Sequence, residues 1–242
     1  MKTGTDTLEA SSSITADGEV WQILFSRQMA LLKQSGYQEF LTGVDRIGFT
    51  ESEVPSFDEV NQRLKTLNGW TVIPTTGICP PEEFFKLLSE KRFVCNSWLR
   101  PIESLDYIVE PDLFHDFFGH VPMLTSESLC QFFKALGDIA VKYGEYPGVI
   151  DKIERLYWFT VEFGLIKVNG NLKVYGAGIA SSYTETLQAL GENSRKHVYD
   201  VKKIMHHPFR TDVKQEDYYV INNIEELIDS IPEIFEVIED EV

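Results

Sequence analysis

Apolar residues recur at helical spacing early in the chain. Trp21, Leu24, Phe25, Met29 and Leu32 share one face of EVWQILFSRQMALLK, so a helix is expected from about Glu19. Residues 1–17 are small and polar, with too little apolar surface to offset ordering, and they read as a loose arm ending at residue 18. A second helix is expected over Gln38–Leu41. A third, DEVNQRLKTLNG, opens after Ser56 and stops at Gly69, a C-terminal glycine signal. PPEEFFKLLSEK has proline and two glutamates in its first turn and a lysine at its end, which complements a helix dipole. FVCNSWLR reads as a strand.

Helical patterns then follow over Asp112–His120, Ser126–Tyr143 and Ile153–Leu165. IKVNGNLKVYG carries two β-branched runs around Asn169-Gly170, a hairpin signal. Helices over Thr184–Leu190 and Val198–Met205, a strand over Tyr218–Ile221 and a short acidic helix complete the chain. With no repeat or linker after residue 18, residues 19–242 read as a single domain, mainly α with a few short strands (α+β).

Composition narrows the function. A chain of 242 residues with 43% hydrophobic content can build a core without staples. Its formal charge of −16 argues against nucleic-acid and anionic-membrane partners. Beyond Lys214 there is no lysine or arginine, while ten acidic residues follow, a pattern that reads as a solvated face, with a docking surface for a basic partner as the alternative. Cys79, Cys95 and Cys130 are odd in number and lack C-x-x-C spacing, which favours a reducing compartment. No segment has the length of a spanning helix and the start lacks a signal-peptide pattern, so a cytoplasmic protein is expected.

Two segments could carry chemistry. In EPDLFHDFFGHVPML, His115 and His120 sit among Leu113, Phe114, Phe117, Phe118, Val121 and Met123. Five residues correspond to about 140° on a regular α-helix, so such a helix would not aim both imidazoles at one point. Gly119 and Pro122 give His120 a way to swing inward as the helix ends. The alternative is two half-buried histidines satisfied by backbone carbonyls. In ERLYWFTVEFGLIKV, Glu162 lies on an apolar face, where a carboxylate needs a cation or donors. Arg155 or Lys167 could pair with it, or the helix could turn it to water. Taken together, two imidazoles and one carboxylate suit one octahedral face of a non-haem Fe(II), leaving positions open for oxygen. Zinc hydrolysis accepts the same donors, but the H-E-x-x-H spacing is absent. Nucleotide-binding and G-x-S-x-G motifs are absent as well.

EPDLFHDFFGHVPML, LYWFTVEFGLIK and YGAGIASSYTE together resemble the signature segments of the pterin-dependent aromatic amino acid hydroxylases, the nearest branch being the short bacterial phenylalanine 4-monooxygenases. The likeness runs from about Val20 to about Asp229. It implies the family's helix-rich, basket-shaped catalytic domain, with iron near the floor of a cleft. His115, His120 and Glu162 match the family's iron ligands. Arg100 matches the arginine that holds the substrate's α-carboxylate, where a bidentate fork suits the anion; the alternative is an ion pair with Glu103 or Asp106. Pro111, Trp158 and Phe163 match the aromatic pocket, Ile108 stands where animal members have threonine, and Gly178 and Ser181 match small residues at the amino-acid end. Phe84 matches the ring stacked on the pterin, Gly77, Ile78 and Cys79 the backbone along its edge, and Asp116 a carboxylate beside the iron. Val94 and Cys79 depart from the animal pattern of histidine and leucine.

The resemblance implies a monooxygenase using Fe(II), a tetrahydropterin such as tetrahydrobiopterin, and O₂ as cosubstrate, with L-phenylalanine hydroxylated to L-tyrosine. Neither a regulatory domain nor a tetramerisation helix is legible, so a monomer is expected. Tyrosine or tryptophan hydroxylation, a zinc-dependent hydrolase and a non-catalytic amino-acid-binding protein are the competing readings. Thr211 and Asp212 bear on substrate choice, because an inward Asp212 could accept a phenol hydrogen bond.

Overall fold

The computed structural model describes residues 16–106 and 108–242; the arm expected over residues 1–17 lies outside them up to residue 15. Helix α1 (Ala16–Ser35) begins three residues earlier than Glu19, placing Asp17 and Glu19 in its first turn, where they meet the positive end of the helix dipole. Helix α2 (Gln38–Ile47) runs well past Leu41 and ends on Gly48, in a left-handed conformation at φ 69°. Helix α3 (Phe57–Leu67) opens on a capping box, with Ser56 and Glu59 satisfying each other's backbone N–H groups.

Strand β1 (Thr71–Thr75) pairs in parallel with β2 (Arg92–Asn96), and helix α4 (Pro81–Ser89) is the crossover between them. β1 was not expected: TVIPT has a proline and no alternation, and only its partner reveals it. β2 stops at Asn96, short of the Arg100 end of FVCNSWLR.

The segment expected as a regular helix over Asp112–His120 is instead a π-helical turn from His115 to His120. A second π turn, Trp158–Glu162, continues helix α6 (Val149–Tyr157). Between them runs helix α5 (Glu127–Tyr143), capped by Ser126. The helix expected as far as Leu165 therefore ends earlier, and Leu165 opens strand β3 (Leu165–Val168). β3 pairs antiparallel with β4 (Asn171–Val174) through Asn169 and Gly170, both at positive φ (51° and 83°), as the Asn-Gly signal requires.

Helices α7 (Ala177–Ala180) and α8 (Tyr183–Leu190) come next. Val198 ends strand β5 (Arg195–Val198) rather than starting a helix, and α9 (Val201–His206) begins after an Asp200 cap. β5 was missed because its four residues pair only through β6 (Asp217–Ile221), which completes a sheet ordered β4-β3-β6-β5. The acidic helix is two: α10 (Glu225–Asp229) and α11 (Ile231–Glu239).

The core under the site is aromatic. Trp21 of α1 meets Phe114 edge-on at 5.4 Å, Phe114 stacks on Phe118 at 4.9 Å, and Phe57 of α3 meets Phe117 at 4.8 Å. Three phenylalanines of the first π turn region are thus locked into the N-terminal helices. Helices α4 and α5 pack closely at Gly137, where a Cβ would collide with the backbone of Phe85 and Ser89. Gly137→Ala should therefore overpack this contact and cost about 1–3 kcal/mol, read as a lowered midpoint in thermal or urea denaturation; an unchanged midpoint would show that the two helices can part freely.

Candidate active site

A π turn bonds each N–H to the carbonyl five residues back, so residues five apart come to lie one above the other. Val121 N–H donates to the Asp116 carbonyl at 3.3 Å in this register, and Phe163 N–H donates to the Trp158 carbonyl at 2.9 Å in the second turn. This resolves the spacing of the two histidines: His120 Nε2 lies 3.2 Å from His115 Nε2. Glu162, at the end of the second turn, faces both, its carboxylate oxygens 3.0 Å from His120 Nε2 and 3.6 Å from His115 Nε2. One ligand atom from each of the three lies within 4.8 Å of the others, the one such group among the described residues. None of the three expected alternatives holds for Glu162: Arg155 donates to the Met205 carbonyl, Lys167 is exposed on β3, and the Glu162 side chain is turned to the histidines rather than to water.

The surroundings tune this trio. Ser181 Oγ donates to the Ala177 carbonyl at 2.8 Å, so toward His115 Nδ1, 2.9 Å away, it accepts. That fixes the His115 proton on Nδ1 and leaves the Nε2 lone pair facing Glu162 and His120. Burial also holds the His115 pKa below its ordinary value, against the pull of Glu162. For His120 burial acts the same way but is outweighed by Glu162 and Asp116, and its pKa rises. Burial pushes the Glu162 carboxyl up, yet His120, His115 and the Gly178 N–H together bring it below the usual value. On the far side of His120, Nδ1 is 3.4 Å from the Tyr157 hydroxyl.

Arg100 is buried, and its partner is neither Glu103 nor Asp106. Nε and Nη2 grip the two oxygens of Asp112 at 2.7 and 2.8 Å, leaving Nη1 outside that fork. Asp112 also accepts from the Arg100 and His115 backbone N–H groups, both at 3.0 Å. One fully buried carboxylate therefore ties the arginine to the start of the histidine turn. Asp106 pairs instead with Arg27 of α1. Sequence reading missed Asp112; an acid three residues before a candidate ligand was the available signal.

Trp158 lies between Phe163 and Phe209, with ring centroids 4.6 Å away on each side, and its indole N–H donates to Gln215 Oε1 at 3.2 Å. Phe209 and Gln215 were not anticipated, because they arrive from a loop some fifty residues downstream. Asp212 does not point inward: it is exposed and paired with Arg210. Ile108 and Pro111 are half-buried in the segment between Arg100 and the histidine turn. Phe84 meets Phe85, Phe93 and Tyr157 at interplanar angles of 75°, 82° and 86°, so none of these rings stacks parallel on it. Gly77, Ile78 and Cys79 follow β1, with Ile78 exposed. Asp116 is buried beside the trio, one oxygen 4.0 Å from His115 Nε2 and the other bonded to Asn96.

The donor set, its burial and the fixed tautomer of His115 fit a divalent metal ion with open coordination positions. The profile of a family described as biopterin-dependent aromatic amino acid hydroxylase matches residues 6–241. The phenylalanine-4-hydroxylase of Ralstonia nicotianae is 41% identical over 216 residues, which span 89% of this chain and 69% of that protein. The structure of Chromobacterium violaceum phenylalanine hydroxylase with bound iron (III) and oxidised cofactor 7,8-dihydrobiopterin superposes with a TM-score of 0.87 at 35% identity, covering 98% of this chain and 86% of that one. The cold-active phenylalanine hydroxylase of Colwellia psychrerythraea, solved in its apo form, gives 0.88 at 32% identity, covering 99% and 92%. The resemblance drawn from three sequence segments thus extends over nearly the whole chain and its fold, and the chain belongs to the biopterin-dependent aromatic amino acid hydroxylases.

Proposed function

We propose that this chain is a phenylalanine 4-hydroxylase that uses Fe(II), a tetrahydropterin and O₂ to convert L-phenylalanine to L-tyrosine. The observation that carries the reading is the convergence of His115, His120 and Glu162 next to an arginine already anchored by Asp112. His115, His120 and Glu162 would hold the iron. Bound iron and reduced pterin supply the redox chemistry, one oxygen atom going to the ring and the other to the pterin.

The chain's own part is to bind, orient and keep water out. Arg100 presents Nη1 to the amino acid's α-carboxylate while Asp112 holds the rest of the guanidinium flat. Trp158, Phe163 and Pro111 wall the aromatic ring, with Ile108, Gly178 and Ser181 bounding the rest. Phe84 would stack on the pterin ring, and the backbone of Gly77, Ile78 and Cys79 would hydrogen-bond its edge, with Asp116 beside the iron site. No side chain is required as an indispensable general base. The choice of phenylalanine over tyrosine is supported by two described acceptors that are already engaged: Gln215 Oε1 accepts from the Trp158 N–H, and Asp212 is turned outward to Arg210. A phenol would give up a hydration bond on entry, worth about 1–3 kcal/mol. The reading takes residues 19–242 as one catalytic domain, monomeric and cytoplasmic; the three cysteines, all free thiols, suit a reducing compartment.

His120→Ala should abolish both iron retention and hydroxylation while circular dichroism stays that of a folded protein; a full complement of iron by elemental analysis would remove His120 from the ligand set. Arg100→Lys keeps the charge but loses the planar fork. It should raise the KM for the amino acid roughly tenfold or more, the value of about one charge-assisted hydrogen bond, with iron content unchanged. Comparison of kcat/KM for phenylalanine, tyrosine and tryptophan, with product identification, tests the substrate: a higher value for either competitor overturns it.

A further inference from the structure

Asn96, the last residue of β2, is 4% exposed, and its side-chain amide is used in an asymmetric way. Its Nδ2 donates to Asp116 Oδ2 at 3.0 Å, and its backbone N–H donates to the same oxygen at 2.6 Å. Its own Oδ1 is buried with no hydrogen-bond partner. A buried amide oxygen left without a donor is uncommon in a native fold and calls for an explanation. The carboxylate supplies it: turning the amide over would set Oδ1 against Asp116 Oδ2, acceptor against acceptor. The orphaned oxygen is the consequence of keeping Nδ2 on Asp116.

Both bonds fall on one oxygen of the carboxylate. The other, Oδ1, receives no hydrogen bond from a described residue and is the oxygen 4.0 Å from His115 Nε2. Two donors on Oδ2 thus determine the rotation of the carboxylate and face Oδ1 toward the ligand trio. Asn96 is itself held in register: it pairs with Thr75 across the β1–β2 ladder, and Ser97 donates to the Thr75 carbonyl through its N–H at 2.9 Å and its hydroxyl at 3.0 Å. Thr75 lies two residues before Gly77, and its hydroxyl donates to the Gly77 carbonyl at 3.3 Å. The strand pair therefore connects the Gly77–Cys79 segment to the orientation of Asp116.

We infer that Asn96 is a positioning residue of the hydroxylation reaction, aiming Asp116 Oδ1 at the space where metal, pterin and oxygen meet. This rests on the reading of the site as a pterin-dependent hydroxylase. A side chain that positions Asp116 should act through it and through nothing else.

The test is a double-mutant cycle between Asn96→Leu, which keeps the approximate shape but removes the donor, and Asp116→Ala. Three readouts are taken on the iron-loaded enzyme: amino acid hydroxylated per pterin oxidised, KM for pterin against kcat, and KM for phenylalanine. The d–d spectrum of the Co(II)-substituted protein gives a measure independent of turnover. In the wild-type background, N96L should lower the hydroxylation-to-oxidation ratio or raise the pterin KM by roughly tenfold, the size of one hydrogen bond to a charged acceptor, and should shift the Co(II) spectrum, leaving the phenylalanine KM unchanged. In the D116A background it should change none of these. Asn96→Ser, which retains a shorter donor, should fall between wild type and N96L, and it decides the matter if N96L does not fold. Equal effects of the Asn96 substitutions with and without Asp116, or wild-type values in the single variants, would overturn the inference. Wild-type protein that oxidises no pterin would instead overturn the proposed function.

Discussion

The site depends on one departure from helical register. An α-helix cannot present His115 and His120 to a common point, because five residues turn them about 140° apart. The wider turn can, and its bond from Val121 N–H to the Asp116 carbonyl is what makes the two imidazoles neighbours. Such a turn is stable only if something outside it compensates for the poorer packing around its axis. Here that is the aromatic lattice in which Phe114, Phe117 and Phe118 are fully buried against α1, α2 and α3. The same residues that look like a plain hydrophobic stripe thus hold a polar turn open on its opposite side. The second π turn does the equivalent for Glu162, seated between the α6 core residues and β3.

Around this frame, buried charge is handled by pairing. An isolated carboxylate in the interior is costly, and each of the three near the site has specific donors. Asp112 has the Arg100 fork and two backbone N–H groups, Asp116 has Asn96 twice, and Glu162 has His120 and the Gly178 N–H. These bonds run between segments remote in sequence, so they also set the relative position of β2, the first π turn and α7. Preorganisation of this kind means that groups need not reorient when a ligand arrives.

The acidic C-terminal segment proves to be of two kinds. Glu239 is bound by Lys142 and the Tyr143 hydroxyl, and Glu241 by Lys152, so part of the excess charge pins α11 to α5 and α6. Most of the remaining acids on α10 and α11 are exposed or half-exposed, as a solvated face would be. The apolar side of α11, with Ile234 and Ile238 fully buried, does the rest of the docking.

The sequence by itself determined the helical majority, the Asn-Gly hairpin, the helix start after Ser56, and the three side chains that converge in the site. Each of these rests on local signals: apolar periodicity, turn chemistry and residue type within a short motif. The π register, the strands β1 and β5, the true partner of Arg100, and the arrival of Phe209 and Gln215 at Trp158 were decided only by the tertiary structure. A π turn needs an external frame, a four- or five-residue strand needs its ladder, and a buried ion pair selects its partner by proximity. None of these conditions leaves a mark within the few residues on either side. His115 and His120 could be named as candidates from their neighbours, but that they meet depends on a turn that residues elsewhere in the chain hold open.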